Sequence, residues 1–421
     1  MFSLSLPAPP QLVRAISTTS LTAGVVNATI GAGIFVLPAV VAAGLGNAGI
    51  LAYLVCASTM ALVVLCAAAA GSRVDATGGM AAYVGAAFGP WMGVAASLTY
   101  WVSSVLAAGS VGSALMDSVA ITWPSSATNP TRALLLVGLF SMLARANVRG
   151  VVSGARLVRA LTVGKLLPLA MLVVAGVSYI SLDPAQFVPL PSVEAIGSTS
   201  LVLMFAFIGL EVALVPSGEF LDAPRTVPRA LLLGLAVTTL VYVLVQAVAQ
   251  GVLGASLATY ASAPLAEVAD RLFGGVGRPL VLVGTAVSML GYLSGDMLGT
   301  PRTLFALGQL GILPAGVGRV HPRFFTPWTA ILVHAVVVCT VTVTGTFLEL
   351  VVLTSASTLL LYLMMIAAAW QLQRLDVVTI VASRATGATS TNVRPFVLPL
   401  GPAVPILAAL AVLWLLSQTS L

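Results

Sequence analysis

Lys165 is the only lysine in this chain of 421 residues, and it lies inside an apolar run, Thr162-Val-Gly-Lys-Leu-Leu-Pro168. Two carboxylates, Glu211 and Asp296, are set among apolar neighbours in the same way. A charge at membrane depth costs at least about 2.5 kcal/mol, so it normally faces a bundle interior and marks a ligand or ion pathway. Lys165 could instead snorkel to a membrane surface, because Arg159 is less than two turns away. Glu211 could equally hold nearby helix ends by hydrogen bonds. Asp296 could recognise a polar or cationic group, titrate, or pair with Thr300 or Arg302.

Two apolar runs carry interruptions that add a second kind of chemistry. The first reads Asn27-Ala-Thr-Ile-Gly31-Ala32-Gly33-Ile34-Phe35-Val-Leu-Pro38, and the sixth reads Phe205-Ala206-Phe207-Ile208-Gly209-Leu210-Glu211 and continues to Pro216. Breaking a helix at mid-span exposes peptide groups, which is tolerable only where they line a cavity or meet a ligand. The freed N–H groups and the dipole of the half-helix after Gly31 suit a carboxylate. Glycines that merely permit close helix packing are the plainer alternative. A matching pair of breaks in two halves of the chain favours a ligand site at the midplane of an inverted repeat.

The elements that must position these groups are membrane helices. Apolar residues make up 59% of the chain and charged residues only 7%, with a mean hydropathy of +1.09. A soluble domain carries about 25% charged residues. Apolar runs long enough to span a bilayer fall near 19–44, 47–71, 87–117, 132–148, 156–180, 196–217, 229–254, 278–307, 326–345, 348–371 and 396–418. This predicts an all-α integral membrane protein of about eleven spans, with the third and eighth tilted or protruding. The predicted organisation is an N-terminal segment 1–18, a ten-helix core 19–371 in repeats of about 19–180 and 196–371, a loop 372–395, and an eleventh helix within 396–421.

Arginine placement orients the bundle. With a cytoplasmic N-terminus, the outer loops carry only Arg132, Arg271 and Arg278, and the other arginines outside the spans fall inside. The C-terminus then lies outside, and residues before Ser17 do not read as a cleavable signal. The net charge of +6 is dispersed over short loops, so a nucleic-acid partner is not expected. Cys56, Cys66 and Cys339 lack metal-type spacing, and no metal or cofactor is expected. His334 reads as a packed residue, and Asp117 and Glu349 as solvated groups near membrane surfaces. Two histidines thirteen residues apart offer no enzyme constellation. Rings of like charge or a repeated filter, which a channel would need, are absent. A carrier is the leading class, with a transport-like sensor or channel as the alternative.

At these residues the sequence resembles the amino acid–polyamine–organocation superfamily of permeases. Gly31-Ala-Gly-Ile-Phe35 is similar to that family's helix 1 signature, and Gly78-Gly-Met-Ala-Ala-Tyr83 with Ala87-Phe-Gly-Pro90 to its approach to helix 3. Phe205 to Glu211, Glu219 and Pro224-Arg-Thr-Val-Pro-Arg-Ala230 resemble helix 6 and the loop after it. Pro301-Arg302 to Leu313-Pro314, and Pro399-Leu-Gly-Pro402 with Pro405, resemble the end of helix 8 and the start of helix 11. Two departures stand out: the family usually has a twelfth span, and its acidic loop after helix 8 is here Gln309-Leu-Gly311.

The resemblance implies a five-plus-five inverted-repeat bundle and secondary transport of amino acids, by proton symport or exchange. It implies that the backbone of Gly31, Ala32, Gly33 and Ile34 receives the substrate carboxylate. Carbonyls near Phe205, Ala206 and Ile208, beside the glycine break at Gly209, would receive the amino group. Phe205 matches an aromatic gate, and Glu211 a glutamate linked to coupling or gating. Lys165 stands where sodium-independent relatives place a lysine in lieu of the ion, with Ser288 as its expected partner on helix 8. Asp296 falls where relatives line the pocket.

Overall fold

The computed structural model describes residues 17–74, 78–150, 155–180, 190–214, 221–386 and 395–419. The first sixteen residues, Pro216, Glu219 and the 387–394 part of the predicted loop lie outside them. Every regular element among the described residues is helical. The chain runs through α1 (Thr18–Thr29), α2 (Gly33–Leu45), α3 (Ile50–Gly71), α4 (Gly79–Phe88), α5 (Pro90–Thr122), α6 (Asn129–Val148), α7 (Ala155–Gly176) and α8 (Val193–Phe207). It continues through α9 (Leu210–Ala213), α10 (Ala223–Leu253), α11 (Pro264–Phe273), α12 (Gly277–Gly299), α13 (Pro301–Gln309), α14 (Trp328–Thr344), α15 (Phe347–Thr386) and α16 (Ala403–Leu416).

Local chemistry sets several of the ends. Ser17 caps α1 by accepting the Ser20 N–H, and Ser192 caps α8 by accepting that of Ala195 at 3.1 Å. Gly89, at φ 94°, turns the chain between α4 and Pro90, which opens α5 as a helix-starting proline. Seven helical stretches among the described residues are long and apolar enough to cross a membrane. Their outward faces stay apolar: Leu134, Val174, Leu240 and Val336 are 60% exposed or more. An apolar exterior on this scale fits lipid as the surrounding solvent.

Two elements depart from the sequence expectation. The tenth run was expected to give way to a loop at residue 372, yet α15 continues unbroken to Thr386. Hydropathy drops at Gln371 and Arg374, but Gln, Arg and Leu are good helix formers, and neither glycine nor proline interrupts residues 346–386. At about 1.5 Å per residue, its forty residues exceed the bilayer core by roughly a factor of two. The second departure is α11, an amphipathic helix in a stretch read as a connection; Leu265, Ala266, Val268 and Ala269 are buried on one face.

Candidate substrate-binding site

The first apolar run is two helices, α1 and α2, parted at Ile30–Ala32, and the sixth is likewise α8 and α9, parted at Ile208–Gly209. The two breaks pack on each other. A Cβ on Gly33 would lie 3.0 Å from Ala206 Cα, and one on Gly209 would lie 2.6 Å from the Ala28 carbonyl oxygen. Gly209 also holds φ 136°, which side-chain-bearing residues rarely adopt. Glycine is therefore required there twice over, by dihedral and by contact.

Tyr242 on α10 ties the breaks together. Its hydroxyl lies 2.9 Å from the Thr29 carbonyl, which also accepts the Gly31 N–H, and 2.8 Å from that of Ala206, at the ends of α1 and α8. Glu211 steadies the other break, its Oε2 accepting the Gly209 N–H at 3.1 Å and the Tyr362 hydroxyl at 3.0 Å. The N–H groups of Ala32, Gly33 and Ile34 open a helix with no turn ahead of them, so helix geometry supplies no acceptor.

A cavity of about 350 Å³ begins at the breaks and runs along α12 toward its C-terminal end. Of the residues expected at the site, Gly31, Lys165, Ile208, Gly209, Glu211, Ser288 and Asp296 line it. Ala32, Gly33, Ile34, Phe205 and Ala206 do not; they sit beyond the breaks in tight packing. Phe205 meets Phe347 edge to face at 6.3 Å. The Ala206 carbonyl, expected to receive a substrate amine, is occupied by Tyr242. These five groups thus belong to a closed side of the bundle in this conformation.

Lys165 is buried, and its ammonium donates to the carbonyl of Asn27 in the last turn of α1. That is where the negative end of a helix dipole welcomes a cation. The expected bond to Ser288 is not formed. Ser288 Oγ is buried without a partner although it lines the same cavity, because the lysine reaches the stronger acceptor at the helix end.

Asp296 takes one of the alternatives open to it. It pairs with Thr300, one of the two partners considered, and not with Arg302, which is exposed on α13. Its Oδ1 also accepts from Ser104 on α5 at 2.5 Å, and its Oδ2 lies 2.8 Å from His334 Nε2. His334 is therefore more than a packed residue: Trp101 Nε1 donates to its Nδ1 at 3.2 Å. Sequence reasoning missed Trp101, Ser104, Tyr242 and Tyr362. For Ser104 the available signal was the 100/103/104/107 spacing on α5, one helix face that lines the cavity. Asp117 also has a partner, Arg132 at 2.6 Å, where solvation alone was expected.

A matched pair of broken helices around one cavity is the architecture of a carrier, and the amino acid permease family matches residues 16–417. The chain belongs to the amino acid permease family. The permease is 28% identical over 323 residues to the serine/threonine exchanger SteT of Bacillus subtilis, covering 73% of this chain and 71% of the exchanger. It is 31% identical over 343 residues to the transporter Rv1999c of Mycobacterium tuberculosis, covering 80% and 75%. The methylthioribose transporter of Bacillus subtilis is 24% identical over 337 residues, covering 75% and 72%. The permease is a multi-pass membrane transporter of the amino acid class, not an enzyme.

Proposed function

We propose that the permease carries amino acids across the cell membrane by alternating access, without sodium. The observation that supports this most is the place of Lys165. Its ammonium meets the Asn27 carbonyl beside the break, tying α7 to α1 with a fixed positive charge where a bound cation would otherwise stabilise the bare helix end. A carrier that brings its own cation there has no need of a metal ion from solution. The substrate α-carboxylate is received at the N-terminus of α2, next to Gly31, and the α-amino group at the α8–α9 break near Ile208 and Gly209.

The finer architecture is part of this proposal: eleven spans, ten of them in two inverted five-helix repeats that begin at α1 and α8, with the N-terminus cytoplasmic. Helix order and the two breaks support it. On that orientation the cavity belongs to an inward-facing state, with Phe205 and Gly33 closing the outer side. The serine/threonine exchanger among the relatives favours exchange over proton symport. Proteoliposome uptake of a labelled amino-acid panel tests the reading. Imposing a pH gradient or loading amino acid inside separates the two coupling modes. Uptake that requires sodium, or none of any amino acid, would refute it.

A further inference from the structure

Asp296 is the best-anchored polar group in the cavity, and its surroundings dictate its chemistry. An indole nitrogen only donates, so the Trp101 contact makes His334 Nδ1 an acceptor and leaves the ring hydrogen on Nε2, facing Asp296 Oδ2. Ser104 and Thr300 donate to Oδ1. The two hydroxyls also lie 2.8 Å from each other, so they form one hydrogen-bonded group around Oδ1, and an ionised Asp296 meets only neutral donors there. The cluster thus presents a carboxylate whose partners are all uncharged side chains.

Among the described residues no lysine or arginine supplies that carboxylate with a countercharge. Asp296 and His334 have side chains only 4% and 0% exposed. Lys165 is too far along the bundle: Gly164, its neighbour, abuts Val287, nine residues before Asp296 on α12. A buried charge without a partner is costly, and a cation arriving in the cavity relieves the cost. Tyr292, one turn before Asp296, and Tyr100, one turn before Ser104, line the cavity beside it, and aromatic rings so placed are suited to a cation.

The spacing selects the cation. A Cβ on Gly31 would touch the Tyr292 ring at 4.0 Å, which sets the α1–α2 break level with Tyr292. Asp296 lies four residues further, about 6 Å along the helix axis. The four-carbon stem of a lysine-type side chain suits such a reach.

We propose that Asp296 is the recognition point for the side chain of a basic amino acid, an ammonium or guanidinium held against Asp296 between Tyr292 and Tyr100. The proposal rests on the carrier reading above, with the α-carboxylate anchored at the α2 N-terminus. The test is competition for binding and uptake by the full-length permease in proteoliposomes. The probes are L-lysine, L-ornithine, L-arginine, L-leucine, L-serine and Nε-acetyl-L-lysine, which keeps the lysine stem and loses its charge. The basic amino acids should compete best and acetyl-lysine poorly. Asp296→Asn should weaken the basic ones by roughly 30-fold or more and L-leucine much less. If acetyl-lysine competes as well as lysine, the inference fails whether or not the variant folds. Uptake of neutral amino acids alone overturns it and leaves the carrier reading intact, whereas uptake of none overturns both. An Asp296→Asn variant that loses all substrates alike, or only shifts the pH profile, also overturns it, marking a structural or a proton-carrying role.

Discussion

At the scale of single residues, Lys165 separates two ideas that look alike in the sequence. A snorkelling lysine would send its ammonium to the membrane surface, whereas this one turns inward to the end of α1. Removing it leaves the Asn27 carbonyl without that charge-assisted bond, a contribution of about 1.5–3 kcal/mol. Lys165→Ala should therefore lower transport about tenfold or more with little loss of expression, and parent and variant should behave alike in sodium and in choline. Lys165→Arg should also be impaired, because a planar guanidinium is bulkier than the ammonium it replaces. Uptake rates for the three proteins in both salts check this, and normal transport by Lys165→Ala would show the lysine to be dispensable.

At the scale of elements, the two breaks act as one joint whose tolerance differs from position to position. A side chain at Gly31 meets only Thr29 O at 3.9 Å and the Tyr292 ring at 4.0 Å, so it projects into the cavity. A side chain at Gly33 runs into Ala206 at 3.0 Å. Gly31→Leu should thus abolish substrate binding in a protein that melts like the parent, while Gly33→Leu should lose both binding and thermal stability. Detergent melting curves beside ligand binding distinguish them; equal melting temperatures for the two variants would contradict the joint described here. Gly209→Ala should destabilise more than either an ordinary loop change or Gly31→Ala. It combines backbone strain of about 1–3 kcal/mol with a contact to the Ala28 carbonyl that cannot yield. Tyr242→Phe leaves the buried Ala206 carbonyl without its hydroxyl donor, worth roughly 1–3 kcal/mol, and should lower the melting temperature without changing which substrates bind.

At the scale of the whole molecule, the prediction concerns sidedness. On the proposed reading, which rests on the arginine bias and eleven spans, the N-terminus lies in the cytoplasm and residue 421 outside. Reporter fusions or impermeant thiol labelling at both ends should return opposite sides, and finding both ends on one side would sink the eleven-span arrangement. The cavity supplies a second readout. Ser294 lines it near the end of α12, so a cysteine placed there should react from the cytoplasmic face and be protected by substrate. Cys56 and Cys66 are fully buried and should contribute little background; half-buried Cys339 is best replaced first.

Composition, the apolar runs, the paired glycine interruptions and the depth of Lys165 were all legible along the chain. Each is a local property, set by what a bilayer and a helix demand of neighbouring residues. The partners at the site were not legible, because they are remote in sequence. Asp296 meets Ser104 across 192 positions and His334 across 38, and Tyr242 reaches Thr29 across 213. Hydropathy reads His334 as one polar residue on an apolar helix, and only the packing of α14 against α5 and α12 gives its two nitrogens their roles. The choice of Asn27 over Ser288 by Lys165 was likewise tertiary, since it depends on where the end of α1 comes to rest beside α7. A sequence can say that a charge must be satisfied at a given depth; which atom satisfies it is decided when the helices meet.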